Sequence, residues 1–520
     1  MDFGDASQEV LNVSFEDLLE NVHELDRLAV GYVARIEVFQ KKVHAHRKHA
    51  YEGTLAYVSA EAVAQRAKYD VFRTQLANVE RRINNEPHTG ALLAELIRQR
   101  QEQMFLLHTL IGQTGALMVS LDWQSPSFGH SVMAQAGTQT GHIEGTINDY
   151  KRDTHLDEEA FEAAFKREYI DERMRLNVQV LATGSGMSAF TTVLAFLRGG
   201  EKICGPVVVG LSCWFQNKRL LEYFFGREQV HIVDEMNAEE VIAVVKRLQP
   251  RAIFLDTLCN TSTIPVPNLA KLIPALSSAV KQQAYLVLDN SGFGPTCRPL
   301  SYLPRLSRLR VLVVESLNKH YEFGLDRVAG GVVWGDGRFV GRLSTYRMHL
   351  GTNIPDASVH TVPWPDGALL RARMHRQGRN AQLIAERIDA YVKAHPGSVV
   401  SHVVYPGLST HPSSEWTKAF SFHGCFFSLA FKPTYAKVFV YLRYLAAVLS
   451  EAKKVKADVV TGTDFGLSTT RVYLTALHAQ RMALPFVRIS AGTETRLEAE
   501  VLAEVFIRAI DRLSKWAIIP

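Results

Sequence analysis

Several strong signals are missing from this chain. Its 520 residues hold only five cysteines (Cys204, Cys213, Cys259, Cys297 and Cys425), scattered and odd in number, with no Cys-x-x-Cys pair. That argues against a disulfide framework and a zinc site, and for reduced thiols in a cytoplasmic setting. There is no dense Lys/Arg block, and the formal net charge of +5 is small for this length, so no nucleic-acid partner is expected. No apolar run is long enough to cross a bilayer, so no membrane partner is expected either. Met1-Asp2-Phe3-Gly4-Asp5 has no basic n-region and no apolar h-region, and no secretory signal is expected. What is present is ordinary: 47% apolar and 21% charged residues. That composition fits a globular protein with two or three domains and a large core.

Residues 14 to about 120 read as helices. Ser14 with Asp17 fits an N-cap with an acidic third position. Phe15, Leu18, Val22, Leu25, Ala29, Tyr32, Ile36, Phe39 and Val43 recur at spacings of three and four. Such a heptad seam predicts a long helix packed lengthwise on another. Further apolar patterns cover Val63 to Ile83 and Leu92 to Val119. Their plain core-type residues favour a structural or oligomer-forming appendage over a ligand site. Residues 122–148, rich in Gly, Ser, Thr and Gln, read as a linker or irregular loop.

From about residue 150 short apolar runs alternate with helical patterns: Val178–Ala182, Val207–Val209, Val230–Val233, Ala252–Leu255, Tyr285–Leu288, Val311–Val314 and Val328–Trp334. This predicts an α/β domain with a mostly parallel sheet covered by helices on both faces. Sites in such sheets lie beyond the carboxyl ends of the strands. A long helix is expected over Leu369 to His395, strands at Val399–Val404, Cys425–Leu429 and Phe486–Ile489, and a last helix from Thr495 to Lys515. The expected organisation is a helical extension over 1–125, an α/β domain over 126–370 whose first residues to 150 form a linker and an arm toward a partner subunit, and a smaller α+β domain over 371–520.

The chemistry-bearing residues follow strand ends. Glu315-Ser316-Leu317-Asn318-Lys319-His320 follows Val311–Val314. A lysine there, among small hydroxyl and amide neighbours, can form a Schiff base with pyridoxal phosphate; most lysines after strands are simply solvated. Thr183-Gly184-Ser185-Gly186-Met187-Ser188 precedes a helical pattern and fits either a phosphate cradle or a plain turn. Asp289 can hold a proton on a pyridine nitrogen or act as a turn residue. Asn260 can donate to a phenolic oxygen or sit in a turn. Trp214 can stack on a planar ring or fill the core. Arg488, inside an apolar strand, requires a partner, either a substrate carboxylate or a structural acid.

The order of these pieces resembles the Cys/Met-metabolism family of pyridoxal-phosphate enzymes (cystathionine γ-synthase, cystathionine lyases, methionine γ-lyase), of fold type I, the aspartate aminotransferase-like fold. Thr183–Ser188 resembles the family's phosphate loop, with Ser185, Gly186 and Met187 as its Ser-Gly-Met. Asp256–Thr261 resembles its Glu-x-Pro-x-Asn-Pro, Asp289–Pro295 its Asp-Asn-Thr-x-x-x-Pro, and Ser316–Lys319 its Ser-x-Thr-Lys. Arg488–Glu494 resembles its Arg-x-Ser-x-Gly-x-Glu, and Trp214 falls where the family stacks a tyrosine. Tyr150-Lys151-Arg152, followed by Glu158 or Glu162, resembles the segment that reaches the phosphate of a neighbouring subunit. The resemblance spans roughly residues 148–515. It implies pyridoxal 5'-phosphate bound by Lys319, with Ser185, Gly186, Met187, Trp214, Asn260, Asp289, Ser316, Asn318, Tyr150 and Arg152 around it. Arg488 would hold an amino-acid carboxylate, and the active sites would be shared in a homodimer or homotetramer.

The departures point to a diverged member. Asn318 stands for the family's threonine and Trp214 for its tyrosine; Asp464-Phe465-Gly466 stands for its Ser-Leu-Gly, which puts Asp464 near the substrate; the segment 1–120 has no counterpart. The implied activity is β/γ-elimination or γ-replacement, breaking or making a C–S or C–O bond in the substrate's side chain. Aminotransfer or aldol cleavage on the same fold, or a degenerate interaction protein, are the alternatives.

Overall fold

A computed structural model of the protein describes residue 3 and residues 6–45, 52–120, 156–170, 177–477 and 483–518. The expected linker 122–148 lies outside them. Three long helices come first: α1 (Gln8–Ala45), α2 (Glu52–Asn85) and α3 (Gly90–Met118). Ser14 does not cap α1. It sits one and a half turns in, donating to Val10 O at 2.7 Å and accepting from Leu497 N at 3.0 Å. A remote backbone amide has claimed the hydroxyl that the local pattern assigns to a helix start.

The main sheet has seven strands: β1 (Val178–Thr183), β2 (Val207–Gly210), β3 (Val230–Val233), β4 (Ala252–Asp256), β5 (Ala284–Asp289), β6 (Leu309–Ser316) and β7 (Gly331–Asp336). Their order is β1-β7-β6-β5-β4-β2-β3. β7 runs antiparallel to both neighbours, β1 and β6, and every other pairing is parallel. The strand expected at Val328–Trp334 starts three residues later, because the amide of Asn318 fastens Val328 O and Gly330 N outside the ladder. A second sheet follows, in the order β10-β11-β12-β9-β8, from β8 (Val400–Val404), β9 (Phe426–Phe431), β10 (Val460–Thr461), β11 (Arg471–Thr475) and β12 (Phe486–Ser490). The helices Gly367–Ala394 and Val438–Val455 pack on it, and Arg496–Ile518 packs on those two helices.

Strand periodicity divides the core. On β5 and β6, Leu286, Leu288, Val311 and Val313 face one buried cluster, while Tyr285, Val287, Leu312 and Val314 face another. Successive side chains point to opposite faces, so continuous apolar runs are what a sheet buried on both sides requires. The first of these clusters runs on without a break into the apolar seam of α1–α3, through Phe15, Leu18, Val22 and Leu96. The helical layer therefore shares a core with the α/β body.

Polar contacts fix the same junction. Arg100 of α3 and Glu498 are 6% and 1% exposed and form a bidentate pair at 3.0 and 3.2 Å. Removing one member of a buried pair strands the other charge at about 3–5 kcal/mol, whereas replacing both with apolar groups is often nearly neutral. Arg100→Leu should lower unfolding free energy by that amount in a denaturant melt. The Arg100→Leu/Glu498→Leu double variant should recover most of it; equal losses in the two proteins would contradict the pairing.

Candidate active site

Lys319 stands three residues past the end of β6. Leu317 N donates to Gly330 O at 2.9 Å, and Leu317 is fully buried, so the turn is anchored just before the lysine. The Lys319 ammonium meets the Asp464 carboxylate in a close ion pair, with the two side chains 24% and 16% exposed. Oδ1 of Asp464 is held by Phe465 N at 3.0 Å, and the Phe465 ring centroid lies 5.3 Å from Lys319 Nζ. His320 beside it is buried, with Nε2 at 3.0 Å from Gly292 O, and burial pushes its pKa down to about 4, which keeps the imidazole neutral.

Asp289 ends β5, next to Asp256 of β4 in register. Its carboxylate accepts from Ser291 N at 3.0 Å and Asn217 Nδ2 at 3.3 Å. Burial raises its pKa, while Ser291, Asn217 and the charge of Lys319 draw it down. Asp256 accepts from Trp214 N at 2.9 Å and is raised well above the usual carboxylate range by burial and then by Asp289. The start of the helix Phe215–Phe225 thus spans both acids, with Trp214 over one and Asn217 over the other. The Trp214 indole N–H donates to Gln216 at 3.1 Å and its ring packs on Phe215 at 4.4 Å between centroids.

The glycine turn closes on the lysine segment. Ser185 caps the helix Gly186–Ala195, accepting from Ser188 N at 3.0 Å. The first-turn N–H groups of Gly186 and Met187 have no carbonyl within their own helix to bond, which suits an anion. A Cβ on Gly186 would come within 2.9 Å of Ser316 Cβ, so only glycine lets the turn approach β6 this closely. Ser316 itself donates its N–H to Ser291 Oγ at 2.9 Å.

The second domain contributes Arg488, buried at 3% exposure on β12. Nη1 donates to Asn260 Oδ1 at 3.0 Å and Nη2 to the Asp464 carbonyl at 2.9 Å, while the buried Nε has no partner. Burial lowers the pKa of this guanidinium. A buried N–H left unpaired costs about 1–3 kcal/mol, and a carboxylate at this point would satisfy it. Lys319, Asp464, Arg488 and Asn260 therefore form one continuous polar network across the domain boundary.

Asn318 has partners within the protein. The motif places Asn318 beside a phosphate, but its amide bonds Val328 O at 2.6 Å and Gly330 N at 3.1 Å. The side chain is occupied in fastening the loop before β7. Tyr150 and Arg152 lie outside the described residues. Glu158 and Glu162 meet Arg347 at the back of β1, where Glu162 also accepts from Ala182 N at 2.7 Å. Sequence reasoning missed Asn217, Ser291 and Arg373. Asn217 was findable as the residue one helical turn after Trp214; the other two touch the site only through folding.

A family model described as "Cys/Met metabolism PLP-dependent enzyme" matches residues 110–496. The bifunctional enzyme flvA of Aspergillus flavus is 22% identical over 347 residues, 66% of this chain and 40% of that protein. An L-methionine gamma-lyase of Fusobacterium nucleatum is 29% identical over 249 residues, 46% of this chain and 56% of that protein. The chain thus spans about half the length of these curated relatives. Among solved structures, cystathionine gamma synthase of Xanthomonas oryzae in complex with cystathionine superposes with a TM-score of 0.57 at 17% identity, covering 72% of this chain and 90% of that one. A cystathionine gamma-lyase of Lactobacillus plantarum gives 0.56 at 18% identity, with 71% and 90% covered. The fold is therefore that of the fold type I enzymes.

Behind the site, Glu315 ties three strand ends together. It is 2% exposed, accepts from Asn290 Nδ2 at 2.6 Å and is bonded by Tyr321 OH, while Asn290 Oδ1 accepts from Thr257 at 2.8 Å. Burial raises its pKa to about 7. A carboxyl raised in the folded state stabilises the fold fully below its unfolded value, near 4.5, and loses that contribution as pH rises through 7. The shift corresponds to on the order of 3 kcal/mol. Glu315→Gln, which mimics the protonated form, should flatten the fall in melting temperature between pH 5 and 8. Parallel melting curves against pH for the two proteins would contradict the shift.

Proposed function

Because the chain belongs to the Cys/Met metabolism family of PLP-dependent enzymes, we propose that it holds pyridoxal phosphate through Lys319 and acts on an amino acid by β/γ-elimination or γ-replacement at a C–S or C–O bond of the substrate's side chain. The observation that carries this reading is the position of Lys319. It lies just past the end of β6, the strand beside the one that Asp289 ends, with the glycine turn against its own segment and the unpartnered Nε of Arg488 in the same polar network. The residues fit the group. The helix start at Gly186 and Met187 suits its phosphate, Asp289 its ring nitrogen, and Asn260 keeps its amide N–H groups for the phenolic oxygen, because Arg488 takes the amide oxygen.

When bound, the cofactor supplies an electron sink for the charge left behind by α-proton removal. The protein supplies position and proton transfer. Lys319 would be the amine that holds the cofactor, and its Nζ would be the general base placed to take the substrate's α-proton. Asp289 would face the ring nitrogen and hold its proton, and a cation there would favour the charged form of Asp289 against the cost of burial. Arg488 orients the α-carboxylate through Nε. Trp214 offers a ring face without the phenol of a tyrosine, so it stacks but transfers no proton.

The substrate class is an α-amino acid. Shared sites in a homodimer or homotetramer follow from the resemblance of Tyr150–Arg152 to the family's cross-subunit arm. A cytoplasmic setting is supported by five unpaired thiols, three of them buried. Among the described residues no helix is long and apolar enough to cross a membrane.

Lys319→Ala separates this reading from its rivals. Purified protein given pyridoxal phosphate should develop a visible absorbance band. The variant, folded by circular dichroism, should show none; a variant that keeps the band would refute the assignment.

A further inference from the structure

Helix α1 carries an apolar seam and, beside it, a buried polar stripe. Ser14, Asp17, Asn21 and Glu24 fall at i, i+3, i+7 and i+10 on one face and are 0, 5, 6 and 8% exposed. Burying such groups is unfavourable unless each is bonded, and a purely structural face would be apolar. Each of the four has a specific partner in the C-terminal half of the protein. Ser14 Oγ accepts from Leu497 N at 3.0 Å, Asp17 from Arg496 N at 2.7 Å, and Asn21 Nδ2 donates to Thr493 O at 3.2 Å.

Glu24 is the member with the furthest reach. It pairs with Arg373 of the helix Gly367–Ala394, itself 3% exposed. Arg373 Nη2 donates to Ser468 Oγ at 2.9 Å and lies 3.4 Å from Gly466 O. The segment it grips is the one that turns under the lysine. Asp464 and Gly466 both have left-handed backbone, with φ of +84° and +80°. A Cβ on Gly466 would come within 2.2 Å of Lys319 O. The Asp464 carbonyl is the acceptor for Arg488 Nη2, and its carboxylate is the partner of Lys319. Thr493 N in turn donates to Ser468 O at 2.9 Å. The two strips that carry Asp464 and Arg488 are thus fastened to each other and, from behind, to α1.

We propose that the N-terminal helical layer is part of the substrate site, with Glu24 a positioning residue that acts through Arg373 on the Asp464–Ser468 turn and so sets the affinity for the amino-acid carboxylate. The inference rests on the reading of Arg488 and Asp464 as substrate-facing. Glu24→Gln keeps size and an acceptor but removes the charge that holds Arg373. Ser468→Ala removes the hydroxyl that Arg373 holds and carries the test should the first variant fail to fold.

The readout is the half-saturation concentration for the shift of the visible band when L-methionine is titrated into protein loaded with pyridoxal phosphate. Both variants should keep the band, and half-saturation should rise about tenfold in each; Glu24→Gln, which strands the buried Arg373 charge, should also lower the melting temperature, whereas Ser468→Ala should leave it close to that of the unmodified protein. Glu24→Asp should restore part of the loss. Unchanged half-saturation, or a weakened response that only tracks a falling melting temperature and a lost band, overturns the positioning role. A band in the unmodified protein that L-methionine does not shift overturns the substrate reading itself, and the inference with it.

Discussion

The pairing of Lys319 with Asp464 is the contact around which the rest of the structure is arranged. It joins the tip of the main sheet to a turn of the second domain across 145 residues of sequence. A lysine on an ordinary loop would lie in water. Here Leu317 anchors the backbone, Phe465 covers the ammonium and a fixed carboxylate aims it. An amine held this way has lost the rotamer freedom that would otherwise oppose bond formation at a single carbon atom.

The carboxyl edge of the main sheet is loaded with acid. Asp256 and Asp289 end adjacent strands, and Glu315 lies on the next. Burial pushes all three toward the neutral form. At Asp289 two kinds of cation relieve this: the lysine already present, and the protonated ring nitrogen proposed to sit there. Trp214 N–H and Asn217 distribute hydrogen bonds so that each acid keeps a fixed orientation. The same edge therefore disfavours stray negative charge and favours a cationic heterocycle.

Much of this was legible in the sequence because it is local. The apolar runs at Tyr285–Leu288 and Val311–Val314 became β5 and β6, and Asp289 and Lys319 follow them directly. The heptad seam from Phe15 to Val43 gave α1 its buried face. What escaped was decided by contacts distant in sequence. Ser14 and Asp17 match a capping pattern, yet both are taken by the start of the last helix, more than 470 residues away. β10 is two exposed residues with no pattern to read, and β11 opens on the half-buried Arg471. The helix Val438–Val455 begins Val-Phe-Val-Tyr, which favours a strand by propensity; its buried Val440, Tyr441, Tyr444, Ala447 and Val448 show the helical period that prevails. Asn318 is the instructive case at the site. Its two-ended amide fastens the loop before β7, a contact that the local motif does not announce.

The central claim is that one particular amine captures the cofactor. The most direct measurement is to load the protein with pyridoxal phosphate, reduce it with borohydride, digest it and locate the modified peptide by mass spectrometry. The account predicts a single phosphopyridoxyl adduct on Lys319. An adduct on any other lysine, or no adduct at saturating cofactor, would contradict it.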